Sequence, residues 1–274
     1  MVRTRARRTR QLLGVVLASA CTVGWTLPTA AASRATDRPP NLGSPLAVGV
    51  DTSGARNPAH NLPPNPDYLE TCAAEGWRNT TCTAEVLVAI ARARSHEGVK
   101  KAAMVLPDNY SKLSVAEQTF VVTDLERVAR GLKPFRGLTP SLNDASRAAA
   151  LLRLDPTPAT SLLRLLGIYE YGSVWAGDYG PLASDYDWMY NDGYSQSGSI
   201  NLDCLTPQDV GCWGHRENIL GTYHHRPTLL AGAGTGHPAG ESIAEVLTGG
   251  TGPAPKFTYT WKQAVKHGAT NSRP

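Results

Sequence analysis

The apolar positions of this chain change spacing along its length. From residue 12 to about 27 they run almost unbroken. Through the middle of the chain they recur at helical spacing, and near the end they fall into short stretches bounded by Gly and Pro. Residues 83–94 are predicted helical: Thr83 can cap, Glu85 lies in the positive first turn, and Gly98 can end the helix. A short extended piece follows at 104–107. Ser114 and Glu117 form a capping box. The helix it opens carries Val121, Val122, Leu125 and Val128 and stops at Gly131 and Pro134. Thr139-Pro140 opens a helix to about Leu154, closed by Asp155-Pro156. A short apolar helix is predicted at 159–166. Pro181 starts another, with Leu182, Tyr186 and Met189 on one face and Gly193 as its stop. Residues 214–220 read as a short helix, and 228–234, 242–248 and 257–261 as strands. Helices first and strands last predict an α+β domain in which helices cover a small sheet.

The unbroken run belongs to the N-terminus. Arg3, Arg5, Arg7, Arg8 and Arg10 precede it with no acidic residue, and Ala30, Ala31 and Ala32 follow it. This is the order of a secretory signal peptide, 1–32, cut after about Ala32. A membrane anchor needs about 20 apolar residues, and this run is shorter and broken by Gly14, Cys21 and Gly24. Lipid attachment at Cys21 is an alternative, but the sequence after it stays apolar where a lipoprotein turns polar. Arg7-Arg8 fits a twin-arginine route loosely.

Removing that segment changes the charge. The whole chain carries 27 basic and 23 acidic residues, formally +4; five of the basic residues lie in the leader, so 22 against 23 remain and the mature chain is at −1. Nothing in that balance calls for nucleic acid or an anionic membrane as partner. No second long apolar run exists, so no transmembrane segment is expected in the mature chain.

Residues 33–67 carry seven prolines and few large apolar side chains. They are expected to form a flexible arm, because such a stretch buries too little surface to offset its ordering entropy. Roughly 205 residues remain, one domain by size. Within them lie Cys72, Cys82, Cys204 and Cys212. An even count in an exported chain suggests two disulfides, and three pairings are possible. The near pairs Cys72–Cys82 and Cys204–Cys212 close the shortest loops, each stabilising by about 2–3 kcal/mol on loop-entropy grounds. A four-cysteine zinc site would favour tighter C-x-x-C spacing, which is absent.

The most informative stretch is Cys212-Trp213-Gly214-His215-Arg216-Glu217-Asn218-Ile219-Leu220. His215 falls in the first helical turn, where the positive helix end disfavours an imidazolium, so a neutral ring is expected at pH 7. His215, Asn218 and Ile219 share one helical face. His215 is either a packed core histidine, with Arg216 and Asn218 tying down loops, or a ligand-facing group in a solvent-reachable groove.

Gly-His-Arg-x-Asn-Ile-Leu resembles the signature of the bacterial branch of the CAP superfamily (cysteine-rich secretory proteins, antigen 5 and pathogenesis-related 1 proteins). Other pieces resemble it in matching order: the helix 124–132 with Pro134-Phe135, the helix 141–154, Trp188-Met189, the small-residue stretch Ala231-Gly232-Ala233-Gly234, and 242–249. The resemblance covers about 115–250. Residues 68–113 resemble an N-terminal extension of an actinobacterial subgroup, leaving 114–268 as the CAP-like domain. The resemblance implies an α-β-α sandwich, with a small mainly antiparallel sheet between helical layers and a shallow cleft that two His and two Glu often line to hold a divalent cation. Here that set is depleted. His215 matches one histidine, and 136–214 contains no histidine for the other. The family's Gly-Glu-Asn reads Gly172-Ser173-Val174, and the remaining Glu falls near Asn191 or Asp192. Too few ligands remain for a tight zinc site, which takes three or four, so no metal or cofactor is expected.

The same resemblance places Ser173, Trp175, Asp192, Asn218 and Glu245 with His215 around a ligand cleft. Glu245 alternates with Ile243 and Leu247, so a strand would put it on their face, where a carboxyl among apolar neighbours has a raised pKa; on an edge strand it would instead reach solvent. Eight aromatics fall within residues 169–194 and form either a core seam or a partly exposed platform beside His215. Other motifs fail. Gly193-Tyr194-Ser195-Gln196-Ser197 lacks the second glycine of a nucleophile elbow. His96-Glu97 lacks its partner histidine. Asp185-Tyr186-Asp187 belongs to a helix face rather than to a calcium loop. His224-His225 reads as an exposed loop.

The expectation is therefore a secreted, monomeric CAP-like domain that binds a cell-envelope component, lipid or peptide near His215. A hydrolase of peptide or peptidoglycan is the alternative, with His215 as base, Ser173 as nucleophile and Glu245 or Asp192 as acid. A structural surface protein is the third reading. Fold resemblance alone does not choose among them.

Overall fold

The computed structural model describes residues 46–177, 179–192, 213–225, 230–236, 242–253 and 255–270. The leader at 1–32, Cys204 and Cys212, Tyr194 and the Gly193 stop lie outside the described residues. Among these residues are eight helices: α1 Leu69–Glu75, α2 Thr80–His96, α3 Val115–Ala129, α4 Pro140–Leu152, α5 Thr160–Leu166, α6 Gly180–Tyr190, α7 Gly214–Leu220 and α8 Trp261–Lys266. Six strands form one sheet: β1 Ala47–Val48, β2 Gly137–Leu138, β3 Ile168–Ala176, β4 Leu230–Thr235, β5 Ile243–Gly250 and β6 Tyr259–Thr260. Their order is β1-β3-β5-β4-β2-β6. Every pairing is antiparallel except β2 with β4. The protein is thus mixed α/β, with a mostly antiparallel sheet.

Capping explains most helix starts. The Ser114–Glu117 capping box opens α3, and Thr139 caps α4 ahead of Pro140. α2 begins three residues before Thr83, because the Asn79 side chain accepts from the Thr81 N–H and caps it first. The helices α1 and α8 have only seven and six residues, too short to show a period. The strand predicted at 257–261 survives as two residues that run straight into α8, which Thr260 caps.

The sheet is covered on both faces. On one, Val174, Ala233, Ile243 and Leu247 pack with Phe120 and Leu125 of α3, Met189 of α6 and Ile219 of α7. On the other, Val246 packs with Leu142 of α4, and Ala244 with Ala150 and Trp175. Strand β3, the longest, was not predicted. Buried on both sides from Gly172 to Ala176, it lacks there the polar alternation that marks a half-exposed strand. The helices before it share the main core, since Cys72, Val86 and Ile90 join the same apolar cluster as the sheet. A Cys72–Cys82 disulfide ties α1 to α2. No helix among the described residues is long and apolar enough to cross a membrane.

The expectation of a flexible arm at 33–67 fails for its described part, 46–67. Strand β1 pairs with β3. Asp51 and Thr222 exchange two backbone hydrogen bonds, and the Leu62 N–H donates to the Tyr190 carbonyl at 2.7 Å. The Tyr186 hydroxyl donates to the Leu62 carbonyl at 3.0 Å. A strap can order with few apolar side chains when its backbone groups satisfy those left open at strand edges and helix ends.

Candidate functional site

α7 starts abruptly. Trp213 holds a left-handed backbone, φ 61°, so the helix begins at Gly214 and His215 sits in its first turn. The His215 N–H has no helical acceptor there and donates to Asp192 Oδ2 at 3.0 Å. Asp192 follows the C-terminal end of α6, and its other oxygen faces the ring, 2.6 Å from Nδ1. On the opposite side Nε2 lies 3.1 Å from Asp155 Oδ1. Asp155 comes from the loop between α4 and α5, and the Trp175 backbone N–H donates to its carboxylate.

This geometry reverses the expected protonation. Burial opposes charge on His215, but the carboxylates of Asp192 and Asp155 outweigh it and hold the imidazole well above its usual range. A carboxylate oxygen faces each nitrogen, and the raised pKa favours the imidazolium, in which both nitrogens donate. The helix N-terminus is the weaker influence beside two carboxylates in contact. Asp155 is itself raised, by burial first, with His215 pulling the other way.

The groove expected at His215 is closed to the ring, which is only 2 % exposed; Asp155, at 9 %, is the more open of that pair. Both ring nitrogens face carboxylates, so neither lone pair is left to coordinate a metal or to take a proton from a serine. The divalent cation implied by the resemblance does not fit here. No group of three His, Cys, Asp or Glu side chains among the described residues could hold a metal.

The other expected site residues separate into three groups. Ser173 on β3 is tied to the strap: its hydroxyl accepts from the Leu46 N–H at 3.2 Å. Asn218 closes that corner, its Nδ2 donating to the carbonyls of Leu46 and Ser173, both at 2.9 Å. Trp175 donates its indole N–H to Ser242 Oγ. Glu245 lies opposite Val174 and Ala233 in mid-sheet, and its Oε2 accepts from the Thr123 hydroxyl at 2.7 Å. Its Oε1 has no hydrogen-bond partner, and burial pushes its pKa up to about 8. The raised pKa matches the expectation; a place beside His215 does not follow, because Thr123 of α3 is its partner.

Most of the aromatic cluster is core. Tyr186, Trp188 and Tyr190 are buried, and Tyr169 is the exposed member. Tyr190 leads to a second ionic cluster, donating to Glu126 Oε2 at 2.9 Å. Glu126 also pairs with Arg94 and Arg130, and these cations hold it at about 2 against the opposing effect of its burial. Glu97 joins Arg130 to Arg216. Arg216 in turn reaches the carbonyls of Arg56 and Met189. The network fastens α2, α3, α6 and the strap to the helix that carries His215.

The residue that sequence reasoning missed is Asp155. It reads locally as a helix stop before Pro156, and only the tertiary fold brings it to a ring 60 residues away. No family model, curated protein or solved structure gives a significant match to this chain. Its function therefore rests on residue chemistry.

Proposed function

We propose that this chain is an exported, CAP-like binding domain in which the signature histidine has become part of a buried ionic clasp instead of a catalytic or metal-binding group. The observation that carries the reading is His215 held on both nitrogens by Asp192 and Asp155. The Gly-His-Arg-x-Asn-Ile-Leu stretch, the order of the surrounding elements and a mostly antiparallel sheet with helices on both faces support it. Asp155 is the ring partner nearer the surface, and its carboxylate is the part of the clasp closest to solvent. The ligand class that fits is a cell-envelope component offering hydroxyl or ammonium groups, as glycans and peptides do. The hydrolase reading loses support, because Ser173 bonds the strap and His215 has no nitrogen to accept its proton.

The test is a glycan, lipid and peptide array probed with wild type, Asp155→Asn and Ser173→Ala. The reading expects a hydroxyl- or ammonium-bearing ligand whose retention drops at least about tenfold in Asp155→Asn, a loss of at least one charge-assisted contact. Cleavage of a retained compound by wild type, abolished in Ser173→Ala, would establish the hydrolase instead.

A further inference from the structure

The far side of the sheet carries an unexpected surface. In α4, Leu142, Ser146 and Ala150 face the sheet and are buried. The next two residues turn away from it: Leu151 is 61 % exposed and Leu152 is 70 % exposed. Leu154, just past the helix, is 38 % exposed, and Leu165 of α5 is 77 % exposed. No residue of α5 is fully buried, although five of its seven are Leu or Arg. Single exposed leucines are ordinary, but four on one outer layer need an account.

Their neighbours supply it. Arg147, Arg153 and Arg164 are all exposed on the same layer. Between Asp144 and Glu170 the one acidic residue is Asp155, which pairs with His215 Nε2. Arg147 has only the exposed Asp144 nearby, at 3.6 Å. Exposed leucines interspersed with exposed arginines along α4 and α5, with Asp144 and Asp155 the only carboxylates among the described residues 144–169, are the pattern of an interfacial segment.

We propose that the outer face of α4 and α5 docks on an anionic lipid bilayer, its leucines entering the headgroup boundary and its arginines meeting lipid phosphates. A second copy of this chain is the less suitable occupant. A two-fold contact would lay this face on itself and set arginines against arginines. The chain's own segment 12–27 is apolar, but the five arginines just before it, at 3–10, would come with it and bring no carboxylate. A bilayer offers both the apolar depth and the negative charge. The surface borders the His215 clasp through Asp155, in the loop between α4 and α5, but is argued from the exposed leucines and arginines and does not depend on the clasp's reading.

The test is co-sedimentation of the purified full chain with phosphatidylcholine vesicles, with and without about 30 mol% phosphatidylglycerol, at low and high salt. Binding should favour the anionic vesicles by about tenfold or more and fall with salt. Leu152→Ser/Leu165→Ser and Arg147→Glu/Arg164→Glu should each lower it about tenfold, with unchanged melting temperatures because these side chains are exposed. Equal binding to both vesicle types, binding indifferent to both double variants, or no binding at all would overturn the proposal. So would a wild-type dimer that either double variant converts to monomer without altering vesicle binding, which would assign the face to self-association.

Discussion

Asp192 holds His215 at two points, Oδ1 on the ring Nδ1 at 2.6 Å and Oδ2 on the backbone N–H at 3.0 Å. One carboxylate therefore fixes both the start of α7 and the orientation of the imidazolium. Removing its charge takes one of two carboxylate partners from a buried cation. Asp192→Asn should cost about 3 kcal/mol of stability at pH 6, as loss of one partner of a buried pair does. The pH dependence carries a sign. The folded pKa of His215 is raised above the ordinary imidazole value of 6.5, so the contribution is complete below 6.5 and lost as pH rises through the higher folded value. Urea unfolding of both proteins at several pH values checks this. A difference under about 0.5 kcal/mol would mean that the clasp contributes no net stability.

Glu245 provides a second, separable titration. Its folded pKa of about 8 exceeds the ordinary carboxyl value of 4.5, so the folded state keeps a proton that the unfolded chain releases. Stability from this group is present below 4.5 and declines as pH rises toward 8. A shift of that size corresponds to a decline of several, about 3–5, kcal/mol. Glu245→Gln keeps an acceptor for the Thr123 hydroxyl and cannot ionise. The variant should be more stable than wild type at pH 8, nearly equal at pH 4, and flatter between. Parallel curves for the two proteins would show that Glu245 is not buried in the folded state.

The same two residues show what could be read in advance. Glu245 alternates with Ile243 and Leu247, so the local pattern gives its face, while its burial and raised pKa follow from a central place in the sheet that the pattern alone leaves open. His215 was placed correctly on its helix, but its protonation was not legible, because it depends on Asp155, 60 residues away and hidden in a helix-stop signal. The helices α3 and α4 carry caps that do not depend on tertiary contacts. Strand β3 and the strap at 46–67 do depend on them. One is masked by burial on two faces, and the other orders through backbone bonds that composition does not show.

The strap gives a direct test. The Leu62 N–H donates to Tyr190, the Asp51 N–H to Thr222, and the Ser173 N–H to Leu46. A flexible arm would leave the amides of Asp51 and Leu62 exchanging at random-coil rates. Held by bonds across the domain, they should be slowed by at least about a hundredfold, as amides that open only by local unfolding are. Hydrogen–deuterium exchange read by NMR or fragment mass spectrometry decides between the two. Full exchange of 51–62 within seconds would return this segment to the arm that its composition suggests.

The approach of α4 to β4 gives the last prediction. A Cβ on Gly232 would lie 2.3 Å from the Leu142 Cβ and 2.7 Å from the Asn143 amide nitrogen. The second of these is helix backbone, which cannot rotate out of the way. Gly232→Ala should therefore push α4 off the sheet and cost about 2–3 kcal/mol, the range of overpacked cores. Gly54, with nothing within 4 Å of a built Cβ, supplies the matched control. Gly54→Ala should change stability by less than about 0.5 kcal/mol. Thermal unfolding of the two variants beside wild type makes the comparison. If both are neutral, α4 does not sit this close to β4. Its outward face would then be placed differently, and the leucines and arginines around residue 150 would lose the common surface argued for them.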